Sequence, residues 1–253
     1  MMTALIRKEL LEQWRTRRLW VLCAVFIFFG LLAPITAKLA PELLRWVAAT
    51  TPGVVFQLPP PSAADVVAQY IKNLSQLLPL VVLLAAMGAV VGEKERGTLP
   101  MVLAKPVSRG AFLGAKFLGL ALTLVLALVL GAVSAYYYSL LLFDGPELGG
   151  FLLMNLLAGL YLLVVLVLTF LASTVAASTV MAGVLAFALW AVLLILGALP
   201  RIGRASPTAL LNWAGRLGMG QPGEAEWLAL GVTLGILAAA LVGAWLHFRG
   251  QEL

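Results

Sequence analysis

Residues 148–199 run for 52 positions without a single Asp, Glu, Lys or Arg. As one helix this stretch would be about 78 Å long, far more than the roughly 30 Å of a bilayer's hydrocarbon core. It must therefore fold back on itself. The small polar cluster Ser173-Thr174-Val175-Ala176-Ala177-Ser178 is where a turn fits, which gives spans at 150–172 and 179–199.

The rest of the chain agrees. It is 62% hydrophobic and 11% charged, with a mean hydropathy of +1.04, whereas soluble domains are about 45–50% apolar and 25% charged. Four further apolar runs, at 19–37, 73–92, 117–143 and 227–246, complete a set of six. The expected fold is an all-α integral membrane protein: one transmembrane domain over 1–253, with no second, soluble domain. Pro79 sits early enough in the second span to kink it. Tyr136-Tyr137-Tyr138 marks the outer end of the third, because phenol rings favour the headgroup level.

Residues 1–18 form a basic amphipathic opening. On a helical wheel Met2, Ile6, Leu10, Leu11 and Trp14 gather on one side and Lys8, Glu9, Glu12 and Arg15 on the other, the pattern of a helix lying along the interface. The 19 uncharged residues at 19–37 exceed the roughly 7–15 of a signal-peptide core, so the run reads as a retained span. Residues 38–72, rich in proline, and 200–226 are expected outside, the latter with Leu210, Leu211, Trp213 and Leu217 dipping into lipid. Segments assigned to the inside hold eleven of the seventeen Lys and Arg residues and those outside hold six. The positive-inside tendency then places both termini in the cytoplasm, in a multi-pass protein of the cell's inner membrane.

Several function classes are excluded. The basic residues cluster at span ends rather than on a water-exposed face with aromatics, so no nucleic-acid reader is indicated; they suit membrane lipid. No expected span carries an ionisable Asp, Glu, Lys or Arg, which disfavours ion-coupled transport. There is no G-x-x-x-x-G-K-[ST] phosphate loop, and the single His247 and single Cys23 offer neither a metal site nor a disulfide. Catalytic, cofactor-binding and metal residues are therefore not expected. Glu93 and Glu95 are not a catalytic pair, since residues two apart on a helix face different ways. They read as solvated charges or as salt-bridge partners for a soluble subunit.

The main charged connection expected on the inside is 93–116. Gly97 and Pro100 allow it to turn, Met101, Val102 and Leu103 form an apolar triplet between charges, and Ser108 is suited to cap the next helix. The positive-inside tendency alone accounts for such charges; an apolar ridge in a charged frame also suits a docking partner. The wording is more specific. Gly92-Glu93-Lys94-Glu95-Arg96-Gly97-Thr98-Leu99, followed by Lys105-Pro106-Val107-Ser108-Arg109 and Gly114-Ala115-Lys116-Phe117-Leu118-Gly119, resembles the ABC type 2 permeases, membrane subunits of ATP-binding-cassette exporters.

That resemblance implies a coupling helix at about 97–103 that fits a groove on a separate ATPase subunit, with Glu93, Glu95, Arg96, Gly97, Thr98, Leu99, Met101, Val102, Leu103, Lys105 and Arg109 as coupling residues. It implies no cofactor on this chain, ATP and Mg on the partner ATPase, and a second permease copy or a sibling permease. Two rivals stand beside it: an assembly permease of the same family acting on a periplasmic partner, and a scaffold or channel without an ATPase.

Two ladders of small residues suit close helix packing. One comprises Ala115, Gly119, Thr123, Ala127, Gly131 and Ala135; the other comprises Gly231, Gly235, Ala239 and Gly243. Either serves packing within the chain or between subunits.

Overall fold

A computed structural model describes residues 2–50, 60–98, 108–221 and 223–250. Among them there is no strand, and six helical segments are long and apolar enough to cross a membrane. Among the described residues ten α-helices run α1 (Met2–Arg15), α2 (Arg18–Thr50), α3 (Ala63–Gln76), α4 (Leu78–Ala86), α5 (Val91–Glu95), α6 (Arg109–Leu142), α7 (Leu148–Val175), α8 (Thr179–Ala198), α9 (Pro207–Gly218) and α10 (Trp227–Arg249). The second crossing, Ala63–Glu95, is built from α3, α4 and α5. The fold is thus the all-α, six-crossing membrane architecture. Helix α7 is its centre, with Tyr161, Leu162, Val164 and Val167 fully buried.

Three boundaries differ from expectation. Helix α2 does not stop at 37 but continues through Pro34 and Pro41 to Thr50. A proline removes one backbone bond yet leaves the helix intact when neighbours hold it, and α2 has α6 along its length. Helix α6 starts at Arg109 rather than 117, its first turn capped by the Ser108 hydroxyl, which accepts from the Ala111 amide at 3.2 Å. At 34 residues it is about 51 Å long and overreaches the hydrocarbon. The second crossing starts at Ala63 rather than 73; it bends at Leu77, just before Pro79 where a kink was expected, and unwinds again at Met87–Val90.

The segment after α8, expected outside, is also different. Leu210 and Leu211 do not dip into lipid: they are buried, with Ala214, against protein. Helix α9 is seated on α7 at backbone distance. A Cβ at Gly150 would collide with the Leu217 carbonyl, and one at Gly218 would meet Met154 Sδ at 2.6 Å.

The two small-residue ladders take opposite roles. That of α6 is wholly buried, and at Gly131 a Cβ would lie 2.9 Å from the Phe26 carbonyl oxygen of α2. That of α10 points away from the bundle. A Cβ at Gly231 or Gly235 would have nothing within 4 Å among the described residues, and one at Gly243 would meet only Leu171, at 3.7 Å. Helix α10 instead buries Ala229, Thr233, Leu237, Ala240, Ala244 and Phe248.

Helix α1 turns part of its polar side onto protein and leaves its apolar side open. Its buried residues are Glu9 and Gln13, while Leu11 and Trp14 are exposed. For a helix beside lipid the apolar side is the solvent-facing one, and polar groups gain by turning to protein partners.

Candidate functional site

Both chain ends, α5 and the turn between α7 and α8 meet at one end of the bundle. They are held there by the bonds that the unwound Met87–Val90 segment makes necessary. A break leaves amides without their helical acceptors, and a buried amide needs another. The Ser173 hydroxyl oxygen of α7 supplies it, accepting from the Val90 and Val91 amides at 3.0 and 3.2 Å. Ser173 is fully buried, and the geometry is that of a fixed cap.

The last two residues of α5 grip the same turn. Lys94 Nζ donates to the Thr174 carbonyl at 2.6 Å, and the Glu95 carboxylate accepts from the Thr179 amide at 2.9 Å and its hydroxyl at 2.5 Å. Thr179 opens α8, so Glu95 also places a negative charge at that helix's positive end. The α7–α8 turn has no Lys or Arg of its own because α5 lends it charge. This fixes the reversal of the long uncharged run at 176–178.

Glu93 points the other way. It is buried rather than solvated, with Lys116 Nζ of α6 at 2.7 Å and Lys8 Nζ of α1 at 3.8 Å from its Oε1. Lys116 is also 3.1 Å from Glu9 Oε2 of α1. Three carboxylates, of Glu9, Glu12 and Glu93, thus gather around two ammonium groups, with Lys116 4% exposed at the centre. Partial burial by itself would lower the Lys8 pKa, but the fields of Glu9, Glu93 and Glu12 together outweigh it and hold the ammonium above its ordinary value. Gln13 extends the contact by accepting from the Thr123 hydroxyl at 2.6 Å. Gly119 makes the approach possible, since a Cβ there would lie 3.0 Å from that of Glu9.

The exit from α5 is equally defined. Gly97 has φ +66°, the left-handed conformation in which glycine alone avoids a Cβ penalty. Its amide donates to the Lys94 carbonyl at 3.0 Å and that of Thr98 to the Glu93 carbonyl at 3.1 Å, the paired bonds of a Schellman stop. At the start of α6, Arg109 Nη1 donates to the Arg249 carbonyl at 2.8 Å. A cation there also suits the negative end of α10, and Phe112 stacks on Phe248 beneath it at 5.7 Å.

Of the residues expected to couple to a partner, Glu93, Glu95, Arg96, Gly97, Thr98 and Arg109 thus sit at this end. Leu99, Met101, Val102, Leu103 and Lys105 lie outside the described residues. Lys8, Glu9, Gln13, Lys116, Thr123, Ser173 and Thr179 were not expected. A lysine one residue past Ala115 on the buried ladder of α6, and the Glu9/Gln13 spacing of four, were the available signals.

The family profile described as ABC-2 family transporter protein matches residues 3–211, from α1 into α9. The chain belongs to the ABC-2 transporter family. Relatives of this ABC-2 chain include the Probable ABC transporter permease protein NosY of Stutzerimonas stutzeri, 37% identical over 143 residues, covering 56% of this chain and 47% of that protein. NosY of Pseudomonas aeruginosa is 38% identical over 129 residues, 51% of this chain and 42% of that one. The Uncharacterized transmembrane protein YxlG of Bacillus subtilis is 27% identical over 150 residues, covering 59% and 58%. The matched part is thus about half the length of these relatives. The chain is a multi-pass membrane protein of the permease type.

Proposed function

We propose that this chain is the non-catalytic permease subunit of an ATP-driven exporter. It would work as a dimer with itself or a sibling permease in the cytoplasmic membrane, with both termini in the cytoplasm. ATP and Mg would belong to a separate ATPase subunit, and no cofactor to this chain. The observation that supports this best is the clamp on α5. The five-residue helix that leads into the loop is bonded to α1, α6, α7 and α8 together. A push on the loop therefore reaches four helices without a flexible step. Eleven of seventeen basic residues at this end support its cytoplasmic placement.

In this reading, closure of the ATPases presses on the 97–103 element, Ser173 and Glu95 pass the motion to α7 and α8, and Lys116 passes it to α1. Met101→Asp and Leu103→Asp variants are expected to lose transport-coupled ATPase activity while the assembled permease remains intact. Unchanged ATPase binding and coupling would remove the docking role.

A second reading, an assembly permease acting on an external protein, draws on the projection of α2. Its 33 residues are about 50 Å long, so roughly 20 Å stands beyond the hydrocarbon, with Leu43 exposed there. A Leu43→Asp variant that keeps ATPase coupling but loses an external partner would favour it.

A further inference from the structure

Two adjoining cavities flank α1, and they differ in chemistry. The first, about 870 Å³, is lined by Arg7, Lys8, Arg15 and Arg96, with Glu12 the only acid. Lys8 is engaged by Glu9, Glu12 and Glu93, but Arg7, Arg15 and Arg96 have no carboxylate partner among the described residues. The second, about 660 Å³, runs between α1 and α6 and is apolar, lined by Ile6, Leu10, Trp14, Leu19, Leu122 and Leu126. Thr3, Arg7 and Leu11 line both, so one groove passes from a basic head to an oily tail.

Its depth is marked independently. Trp14, in the apolar part, packs on Trp20 with ring centroids 4.4 Å apart, and both rings are about half exposed. Half-exposed indoles at a span end belong at the headgroup level. The basic part therefore lies where lipid phosphates are, and the apolar part where acyl chains begin. Leu122 and Leu126, half-exposed on α6, continue the groove into the hydrocarbon.

We propose that this groove is a binding site for an anionic phospholipid, with the phosphate on Arg7 and Arg15 and an acyl chain along Leu10, Leu122 and Leu126. An acidic protein surface would satisfy the arginines but leave the apolar half unfilled. The site does not depend on what drives transport. Because α1 also carries Glu9 and Gln13, a lipid in this groove braces the helix against α6 and makes the Glu9–Lys116 contact sensitive to membrane charge.

The test uses the full-length chain purified in neutral detergent, titrated with dioleoyl phosphatidylglycerol or dioleoyl phosphatidylcholine and read by native mass spectrometry. Phosphatidylglycerol is expected to bind preferentially. The Arg7→Ala, Arg15→Ala pair is expected to bind it on the order of 30-fold more weakly, from about 1 kcal/mol per basic residue at a membrane surface. An Arg201→Ala, Arg204→Ala pair at the opposite end is expected to match wild type. The Arg7→Lys, Arg15→Lys pair, which keeps the charge, restores most of the binding. Should the alanine pair not fold, salt decides on the wild type: phosphatidylglycerol affinity falls with ionic strength and phosphatidylcholine affinity does not. The proposal is overturned by equal affinity for the two lipids, by equal loss in the Arg201/Arg204 pair, or by full competition from glycerol phosphate. It is also overturned if lipid binding persists in the alanine pair while capture of an ATPase subunit is lost, which would make the groove a protein-docking surface.

Discussion

At the scale of single residues, Lys116 and Ser173 hold the most at risk. Removing one member of a buried ion pair leaves the other charge uncompensated, at a cost of about 3–5 kcal/mol. Lys116→Met strands both Glu9 and Glu93, with Lys8 only partly able to replace it at 3.8 Å. Its thermal midpoint in detergent is expected to fall clearly, and the Lys116→Met, Glu93→Gln double variant is expected to recover part of the loss. An additive double variant would mean that the two groups do not share one site. Ser173→Ala removes the acceptor of two buried amides, each worth about 1–3 kcal/mol when unsatisfied. Hydrogen exchange at Val90 and Val91 is expected to accelerate in that variant, with α10 amides unchanged.

At the scale of helices, the two glycine ladders make opposite predictions from the same sequence pattern. Gly131→Leu forces α2 and α6 apart at the Phe26 carbonyl and is expected to lower the midpoint by an overpacking cost of at least about 1–3 kcal/mol. A Cβ at Gly235 meets nothing within 4 Å among the described residues, and Gly235→Leu is expected to leave the isolated subunit's midpoint unchanged. The number of crossings was legible because a charge-free run has only one way to satisfy its backbone in lipid. Three things were not legible. The length of α2 depends on α6 supporting it across two prolines. The seat of α9 depends on the glycines Gly150 and Gly218 of two distant segments. The burial of Glu9 depends on a lysine more than a hundred positions away. Periodicity told which face of α1 was charged but not whether protein or water lay opposite it, and beside a membrane that distinction reverses the usual assignment.

At the scale of the molecule, the charged end and the opposite end are built differently. The opposite end is closed by helix packing, with Tyr70 donating to Asn155 at 3.0 Å as an internal brace. The charged end is tied by directional bonds that converge on α5. Such a construction suits a chain that receives force at one end and spreads it through rigid spans. The most direct test attaches a thiol-reactive benzophenone at Thr98→Cys or, at the opposite end, at Asp144→Cys, in the complex purified with its ATPase subunit. The account predicts a light-induced covalent adduct with the ATPase from position 98 and none from position 144. An adduct from position 144, or none from position 98 in a complex that hydrolyses ATP, would contradict it.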